Sequence, residues 1–395
     1  MLYKEFNGEK ISLLGFGCMR FPTVDGKVDR ELTEKMIDYA YEHGVNYFDT
    51  AFPYMNGESE EVIGNILKKY PRDSFYLATK YPGHQIKPGL ESDETKPEAV
   101  FERQLKKCGV EYFDFYLLHN VCENSYDVYT DESRGILDYF VKQKELGRIK
   151  HLGFSSHGAP DNLEDFLKRY GDKLEFCQIQ LNYLDWTLQK AKEKCEILQK
   201  YGKGIWVMES VRGGKLAKLN PVFEEKMKAF RPDESIAAWA LRWLQDKDFV
   251  NVSLSGMSNF EQVQDNIKTY EERKPLSEEE NKFLDDVAAK LASFIPCTAC
   301  KYCVKECPQE LDIPGIIGAY NDLLVSSAFT PLMFIEQLPE GHKPSDCLEC
   351  HSCEDQCPQK IEISEIMKKC AEKYAESKTW TQVCKERFDI TSGKK

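Results

Sequence analysis

Eight cysteines near the end of the chain fall into two runs with the same spacing. The first run is CTACKYCVKECP at 297–308 and the second is CLECHSCEDQCP at 347–358. In each run three cysteines are separated by two residues, and a fourth follows after three more and precedes a proline. Thiolates at such close spacing are typical ligands of soft metal ions and inorganic clusters. The predicted metal ligands are Cys297, Cys300, Cys303, Cys307, Cys347, Cys350, Cys353 and Cys357.

The spacing of the two runs favours iron–sulfur clusters over zinc. Structural zinc sites usually use two C-x2-C pairs with a longer gap between them. Three cysteines at two-residue gaps with a fourth before proline are typical of bacterial ferredoxins, in which the fourth cysteine ligates the other cluster. His351 lies inside the second run and is not predicted to be a ligand. One [4Fe–4S] cluster is predicted to use Cys297, Cys300, Cys303 and Cys357, and the other Cys347, Cys350, Cys353 and Cys307.

The hundred residues around these cysteines contain an internal repeat. CPQELDIPGII at 307–317 matches CPQKIEISEIM at 357–367. Each half is therefore predicted to be a cysteine-rich loop followed by a helix. The composition changes at Pro296, after a predicted helix at 277–293. These observations predict two domains, a large one at 1–292 and a small, mainly helical, ferredoxin-like iron–sulfur domain at 293–395.

Over the first 290 residues, eight short apolar segments alternate with amphipathic ones. Their near-continuous apolar, β-branched and aromatic content suits strands covered on both faces. Eight strand–helix units predict an α/β fold, a (β/α)8 TIM barrel. No G-x-G-x-x-G follows any strand, which argues against a doubly wound sheet, and an Asn-Gly turn within 4–12 predicts a hairpin at the barrel floor. The predicted strands are 12–17, 46–51, 75–80, 113–119, 149–155, 176–183, 204–210 and 249–256.

Four side chains with acid, base or charge-stabilising chemistry stand at the ends of three consecutive strands. Asp49 ends the second strand and Tyr54 follows five residues later, while Lys80 ends the third and His119 the fourth. Active sites of such barrels lie at the C-terminal ends of the strands. Adjacent strands bring these ends together, so the four side chains are predicted to share one pocket.

Six motifs resemble those of the aldo/keto reductase family, in the family's order. They are GFGCMRF (15–21), DTAFPY (49–54), ATK (78–80), LLH (117–119), GFSSH (153–157) and QIQLNY (178–183). The resemblance covers residues 1 to about 290 and implies an enzyme that reduces a carbonyl with NAD(P)H, or oxidises an alcohol with NAD(P)+. It implies that Tyr54 is the general acid, that the charge of Lys80 assists it and Asp49 holds Lys80 in place, and that His119 orients the carbonyl.

The resemblance also implies a nicotinamide pocket at the ends of strands five to eight, with departures from the family's pattern. Ser156 stands in place of an asparagine, and Glu209 in place of a tyrosine that stacks on the ring. Met257 and Gln262 stand near the positions of the lysine and arginine that grip a 2′-phosphate, so no strong preference for NADPH is expected. The implied cofactor-binding residues are Ser155, Ser156, Gln180, Glu209, Ser210, Arg212, Gly213, Gly256, Asp265 and Asn266.

The two predicted cofactors raise a chemical problem. Iron–sulfur clusters transfer single electrons, whereas a nicotinamide transfers a hydride, and a flavin can do both. Three hypotheses follow: the clusters are structural, they feed a flavin (FMN or FAD) in the barrel, or they pass electrons to a redox partner protein. A redox sensor or electron-transfer module with an inactive barrel is a different class of function. The complete set of four catalytic side chains argues against it, and the nicotinamide hypothesis is preferred to the flavin.

The composition bounds the partners and the location. With 53 Lys and Arg against 66 Asp and Glu, the net charge is −13. This acidity argues against a nucleic acid or an anionic membrane as partner. The absence of a signal-peptide pattern and of a long apolar segment predicts a cytoplasmic location. The cysteines outside the two runs are predicted to be buried thiols rather than disulfides; they are Cys18, Cys108, Cys122, Cys177, Cys195, Cys370 and Cys384.

Overall fold

The structure is a computed structural model that describes residues 1–86, 92–219, 221–292, 295, 297, 301–325, 329–357 and 361–391. The chain forms two compact units. The first, the barrel unit, comprises Met1–Asn281 and Cys384–Lys395, and the second, the cysteine unit, comprises Lys282–Val383. The segment from Cys384 onward thus belongs to the barrel unit. The domain boundary at 292/293 stays a prediction from the sequence.

Eight parallel strands close into a barrel in the first unit. Each strand pairs with its neighbours in chain order, and the eighth pairs with the first. The predicted (β/α)8 barrel is therefore confirmed. The strands are Leu14–Gly17, Tyr47–Asp49, Tyr76–Tyr81, Phe113–Leu118, Ile149–Ser156, Phe176–Gln180, Gly204–Met208 and Val250–Ser255.

A hairpin closes the N-terminal end of the barrel, as the Asn-Gly turn predicts. Tyr3–Phe6 pairs antiparallel with Glu9–Ser12, and the Phe6 ring packs edge-on against Trp206 with 4.8 Å between ring centroids. A second small hairpin joins Thr23–Val24 to Lys27–Val28.

The interior of the barrel is filled with aromatic side chains. Tyr47, Phe115, Phe176 and Trp206 are fully buried there, and the rings of Phe176 and Trp206 lie 4.5 Å apart. Such pairs contribute about 0.5–1.5 kcal/mol each beyond the burial of their area. This packing fixes the strands whose far ends carry the predicted site.

The helices of the barrel unit begin and end at recognisable local signals. The Asp29 carboxylate caps the first helix by accepting a 3.0 Å hydrogen bond from the Leu32 amide. Pro97 opens a helix that ends at Gly109, whose φ of 65° is left-handed. The helices are Arg30–Glu42, Ser59–Leu67, Pro97–Cys108, Tyr126–Thr130, Ile136–Glu145, Pro160–Tyr170, Asp185–Leu188, Ala191–Lys200, Pro221–Phe230, Ile236–Gln245 and Phe260–Glu271, with 3-10 turns at Tyr54–Gly57, Arg72–Ser74, Gly83–Gln85, Asp93–Thr95, Glu132–Arg134, Gly171–Lys173 and Arg212–Gly214.

The cysteine unit is helical and repeats itself, as the sequence predicts. In each half a short helix precedes one of 13 residues, Ile313–Val325 in the first and Ile363–Ala375 in the second. Equivalent apolar residues of the repeat, such as Ile313 and Ile363, are buried in one core. No helix in the described part of the chain is long and apolar enough to cross a membrane. The remaining elements are Glu278–Ala292, Tyr302–Lys305, Thr330–Gln337, Pro344–Asp346, Ser352–Asp355 and Trp380–Thr391, the last of which continues into the barrel unit from Cys384 onward.

Candidate functional site

The structure brings the four predicted catalytic side chains together at the C-terminal ends of strands two to four. The Lys80 ammonium donates hydrogen bonds to Asp49 Oδ1 at 2.5 Å and to the Thr50 carbonyl at 2.8 Å. It lies 4.8 Å from the centre of the Tyr54 ring. The rings of Tyr54 and His119 are perpendicular, with 5.8 Å between their centroids. Lys80 therefore connects Asp49 to Tyr54, and Tyr54 faces His119.

The loop that carries Tyr54 has an unusual backbone. Met55 and Asn56 have φ values of 51° and 55°, a left-handed conformation that ordinary residues adopt at a cost. Hydrogen bonds hold the loop in place, because the Ser59 hydroxyl lies 2.8 Å from that of Thr50 and donates to the Cys18 carbonyl at 2.7 Å. The strained turn thus fixes where the Tyr54 side chain begins.

The electrostatics of this group keep Lys80 charged and Tyr54 protonated. Burial lowers the pKa of Lys80, but the carboxylate of Asp49 and the phenol of Tyr54 outweigh it, so the pKa is raised overall. Burial raises the pKa of Tyr54, and the charge of Lys80 opposes that effect. At neutral pH the phenol holds its proton beside a permanent positive charge. A positive charge in this position would stabilise the phenolate formed by loss of that proton.

A second histidine, which the sequence reasoning missed, lies against His119. The His84 and His119 rings are 4.3 Å apart between centroids. Burial, followed by the charges of His84 and Lys80, holds the pKa of His119 well below its ordinary value. His119 is therefore a neutral imidazole at neutral pH, able to form a hydrogen bond to a carbonyl without carrying charge. A histidine four residues after Lys80 was the available signal in the sequence.

Residues 384–391 of the final helix belong to the barrel unit and contact it near the same group of side chains. Cys384 donates a hydrogen bond from its thiol to the His84 carbonyl at 3.3 Å. Thr391 packs on Gly57, where a Cβ would lie 3.0 Å from the Thr391 methyl. Arg387, between them in sequence, is partly buried. Its charge limits the rise in the pKa of Tyr54 and adds to the lowering of the pKa of His119, in both cases as a smaller effect than burial and Lys80.

In the cysteine unit, four thiols of one predicted set line a single cavity. Cys307 from the first run meets Cys347, Cys350 and Cys353 from the second, with apolar walls that include Leu311, Ile313, Ile363 and Met367. Burial raises the pKa of Cys353 to about 12, with smaller effects from the Glu354 carboxylate and the Cys347 thiol. The spacing predicts that the fourth cysteine of the first run, Cys307, lies with the first three cysteines of the second run. This set of four thiols fits a [4Fe–4S] cluster. Within the described residues, no three His, Cys, Asp or Glu side chains form a site for a single metal ion.

The other predicted set is placed in part. Cys303 is buried in the core of the cysteine unit, and Cys297 and Cys357 pack against that core. Cys300 lies outside the described residues. His351 is exposed, and its Nδ1 lies 3.1 Å from the Glu354 carboxylate, so the structure gives it a partner other than a metal.

Comparison with known proteins decides the family. Residues 13–289 match the family model described as "Aldo/keto reductase family", and residues 296–362 match that of a "4Fe-4S dicluster domain". The chain belongs to the aldo/keto reductase family. Its match to "Probable aldo-keto reductase 1" of Glycine max is 30% identical over 212 residues, half of this chain and 55% of that protein.

Two bacterial relatives match over more of their length. The "NADH-specific methylglyoxal reductase" of Escherichia coli strain K12 is 24% identical over 301 residues, which cover 65% of this chain and 89% of that protein. The structure of aldo-keto reductase AKR11C1 from Bacillus halodurans, in its holo form, superimposes with a TM-score of 0.58 at 26% identity. That match covers 73% of this chain and 96% of the other.

The first of the residues expected to bind the nicotinamide lie close to His119 and its neighbour Asn120. Ser155 and Ser156 end the fifth strand, and both are buried. The Ser155 hydroxyl accepts a hydrogen bond from the Asn120 amide at 2.8 Å, and that of Ser156 accepts one from the Gly158 amide at 3.0 Å. Each hydroxyl keeps its own hydrogen to donate. The two therefore fit a group with an acceptor oxygen, such as a carboxamide, at the edge of the catalytic pocket.

Two more expected cofactor residues converge on a buried carboxylate that the sequence reasoning missed. Gln180 donates to Asp185 Oδ2 at 2.8 Å, and Arg212 donates to Asp185 Oδ1 at 3.1 Å. Asn182 donates to the same carboxylate at 2.6 Å. Asp185 is fully buried. This network ties the end of strand six to the turn after strand seven and makes a rigid wall for the pocket.

An arginine occupies the neighbourhood of Glu209, where the family has a stacking tyrosine. The Arg20 guanidinium lies 3.5 Å from the Glu209 carboxylate. Its side chain also packs on Gly213 and Gly256, because a Cβ on either glycine would lie 3.2 Å from an Arg20 atom. Burial raises the pKa of Glu209, and the nearby charge of Arg20 opposes this. A guanidinium is planar and stacks on aromatic rings, a property that a carboxylate lacks.

The remaining expected residues hydrogen-bond to the protein around strand eight. Ser210 donates to the Leu254 carbonyl at 2.8 Å, Asn266 donates to the Ser255 hydroxyl at 2.9 Å, and Asp265 accepts from Ser235 at 2.5 Å. Near them Met257 is buried, and the Gln262 side chain accepts from the Ser258 amide at 2.7 Å. Neither Met257 nor Gln262 offers a cation to a 2′-phosphate.

Proposed function

We propose that the chain is an iron–sulfur aldo/keto reductase that reduces a small carbonyl compound, or oxidises the matching alcohol, with Tyr54 as the acid–base group. The observation that carries this proposal is the position of Lys80, which is fully buried, bonded to Asp49 and directed at the Tyr54 ring. A buried lysine needs a compensating partner, and a structural ion pair has no need of a phenol beside it.

The four side chains have separate roles in carbonyl reduction. Tyr54 gives its proton to the substrate oxygen, and the phenolate that forms is stabilised by the ammonium of Lys80. Asp49 keeps Lys80 charged and in place. Neutral His119 orients the carbonyl by a hydrogen bond. In the reverse direction the same phenolate accepts the proton of the alcohol.

The cofactor proposed for the barrel is NAD(P)H, with NADH preferred. A bound nicotinamide supplies the hydride, and the Ser155 and Ser156 hydroxyls would hold its carboxamide. Met257 and Gln262 lack the charge that a 2′-phosphate needs, and the Escherichia coli relative is named NADH-specific. Arg20 against Glu209 also fits under a flavin ring, so FMN or FAD is the second candidate.

Two [4Fe–4S] clusters are proposed for the cysteine unit, with the two ligand sets that the spacing predicts. Such clusters supply single-electron transfer when bound. The four-thiol cavity supports the set of Cys307, Cys347, Cys350 and Cys353. The electrons would pass to or from a redox partner protein or a flavin; clusters with a purely structural role are the alternative.

Turnover of simple aldehydes by Tyr54→Phe tests the proposed chemistry. The variant keeps the ring but loses the proton, so kcat/KM with NADH should fall at least about 100-fold. The matched control is Tyr76→Phe, which removes a hydroxyl bonded to Glu9 at the barrel floor and should leave turnover unchanged. Wild-type rates in Tyr54→Phe would contradict the proposal. No turnover of any aldehyde with NADH, NADPH or reduced flavin would favour the redox-sensor alternative.

A further inference from the structure

Three residues of the final helix that belong to the barrel unit lie on one face of that helix. Cys384, Arg387 and Thr391 are three and seven residues apart, so they lie on the same side of a helix with 3.6 residues per turn. Cys384 bonds to the His84 carbonyl, and Thr391 packs on Gly57. The helix is thus attached at two points on that face, with Arg387 between them.

The two points of attachment belong to segments that carry Tyr54 or contact His119. Gly57 closes the turn that begins with Tyr54, and the His84 ring packs on His119. Arg387 lies between these contacts on the helix, near the segments that carry Tyr54 and the His84 ring. The electrostatics agree, because the charge of Arg387 is felt by Tyr54 and by His119.

The charge of the pocket favours an anion. Lys80 and Asp49 form a buried pair whose charges offset each other, and Tyr54 and His119 are neutral at neutral pH. Burial lowers the pKa of Arg387, while Cys384 and Tyr54 raise it by smaller amounts. A partly desolvated guanidinium is stabilised by a carboxylate, which it binds through two parallel hydrogen bonds.

We infer that Arg387, supplied by the last helix of the chain, binds a carboxylate of the substrate and selects carbonyl compounds that carry one. The inference rests on the proposed function, since it assigns the substrate class of the same pocket. Arg387 would position the substrate, and Tyr54 would still supply the proton. The acidic substrate would be an aldehyde or ketone with its carboxylate a few bonds from the carbonyl.

This inference is tested with a series of aldehydes that carry a terminal carboxylate. One to three methylene groups separate the aldehyde from the carboxylate, and each acid is compared with its neutral methyl ester. The full-length wild type, loaded with its clusters, should prefer at least one acid over its ester. In Arg387→Gln, kcat/KM for that acid should fall about 10- to 100-fold, as expected for a lost charge-assisted hydrogen bond. The esters should change by less than about twofold. The control, Lys385→Gln, removes an exposed positive charge from the same helix and should leave the preference unchanged.

Direct binding separates this inference from the proposed function. Butyrate and related unreactive acids should bind to the wild type about 10-fold more tightly than to Arg387→Gln, measured by calorimetry, even if no aldehyde is reduced. Failure of turnover with normal butyrate binding would overturn the proposed function but support the carboxylate site. If kcat/KM falls equally for acids and esters in Arg387→Gln, with a shifted pH profile, the arginine acts on Tyr54 and the inference is wrong. A wild type that prefers the esters would also overturn the inference.

Discussion

The barrel site and the cysteine cavity differ in what holds their functional groups in place. In the barrel, protein atoms hold the ammonium of Lys80, which is bonded to both Asp49 and the Thr50 carbonyl. In the cysteine unit, thiols from two distant loops face one another across a cavity. Burial, with the nearby Cys307 and Cys350 thiols as smaller effects, raises the pKa of Cys347. Cys347 and Cys353 therefore disfavour the thiolate form unless cations lie beside them.

The two sites therefore depend on their cofactors to different degrees. The barrel can order its proton-transfer groups from folding alone, since an aromatic core and a closed sheet fix the strand ends. The cysteine unit is small and places its thiols next to its core, as with Cys303 and Cys353. Metal binding and folding are coupled in modules of this kind. Removing a cofactor should therefore leave the first site intact and destroy the second.

The largest effect is expected from losing a cluster ligand. Anaerobically purified protein should contain about eight irons per chain, as two cubanes require. Cys353→Ser should lose about half of that iron, and its cysteine unit should become sensitive to protease while the barrel unit stays resistant. Iron analysis and the masses of proteolytic fragments measure both outcomes.

A matched control for this experiment is Cys370→Ala. Cys370 is fully buried in the same core but belongs to neither cysteine run. It should keep all of its iron and its resistance to protease. Stoichiometric zinc in place of iron would contradict the iron–sulfur assignment. Equal sensitivity of both units to protease in Cys353→Ser would contradict the conclusion that only the cysteine unit depends on its cofactor.

The second effect concerns Lys80 in the barrel. Lys80→Met should lower kcat/KM for aldehyde reduction at least about 100-fold, since the phenolate of Tyr54 loses its stabilising charge. The Lys80 charge holds the pKa of Tyr54 down, so its loss raises that pKa further. At a fixed pH, kcat/KM for alcohol oxidation should fall by the same factor, because the equilibrium constant of the reaction does not depend on the enzyme. The raised pKa of Tyr54 should move the pH profile of alcohol oxidation, which needs the phenolate, to higher pH. Initial rates in both directions over a series of pH values measure both effects.

Stability separates the two roles of Lys80. Lys80→Met leaves Asp49 buried without its partner, at a cost of about 3–5 kcal/mol in the free energy of unfolding. Adding Asp49→Asn removes the unpaired carboxylate and should restore most of that stability without restoring activity. A double variant that regains the wild-type rate would show that Lys80 serves only as a structural ion pair.

Features encoded locally could be predicted from the sequence. Apolar segments predicted all eight strands, because strands covered on both faces need continuous apolar residues. Strand order then placed Asp49, Lys80 and His119 side by side, as the structure shows. The seven cysteines outside the two runs are buried, as expected for thiols that behave as small apolar groups.

Features that depend on distant parts of the chain were missed for a physical reason. Arg387 reaches the barrel unit because the chain returns there after the cysteine unit, and no periodicity within the last helix encodes that return. Arg20 and Glu209 meet across a long separation in sequence, and Asp185 collects Gln180 and Arg212 from neighbouring loops. Local patterns predict elements, whereas these contacts are decided by how the elements pack.

The smallest effect is expected from His157, which lies beside Ser156 and tests how the barrel site responds to acid. Burial lowers the pKa of His157 to about 4, and its neighbour Lys194 adds to the effect. Because the folded-state pKa lies below the unfolded value of about 6.5, the unfolded chain binds the proton first. Stability is therefore lost as the pH falls from about 6.5 to about 4. His157→Gln, which cannot titrate, should lose about 2 kcal/mol less of its free energy of unfolding than the wild type over this range.

Urea unfolding of the barrel unit at pH 4.5 and pH 8 measures the difference, with exposed His43→Gln as the control. If all three proteins lose stability equally, the His157 imidazole is already solvated in the folded state, and the barrel site is less sealed from water than its geometry indicates.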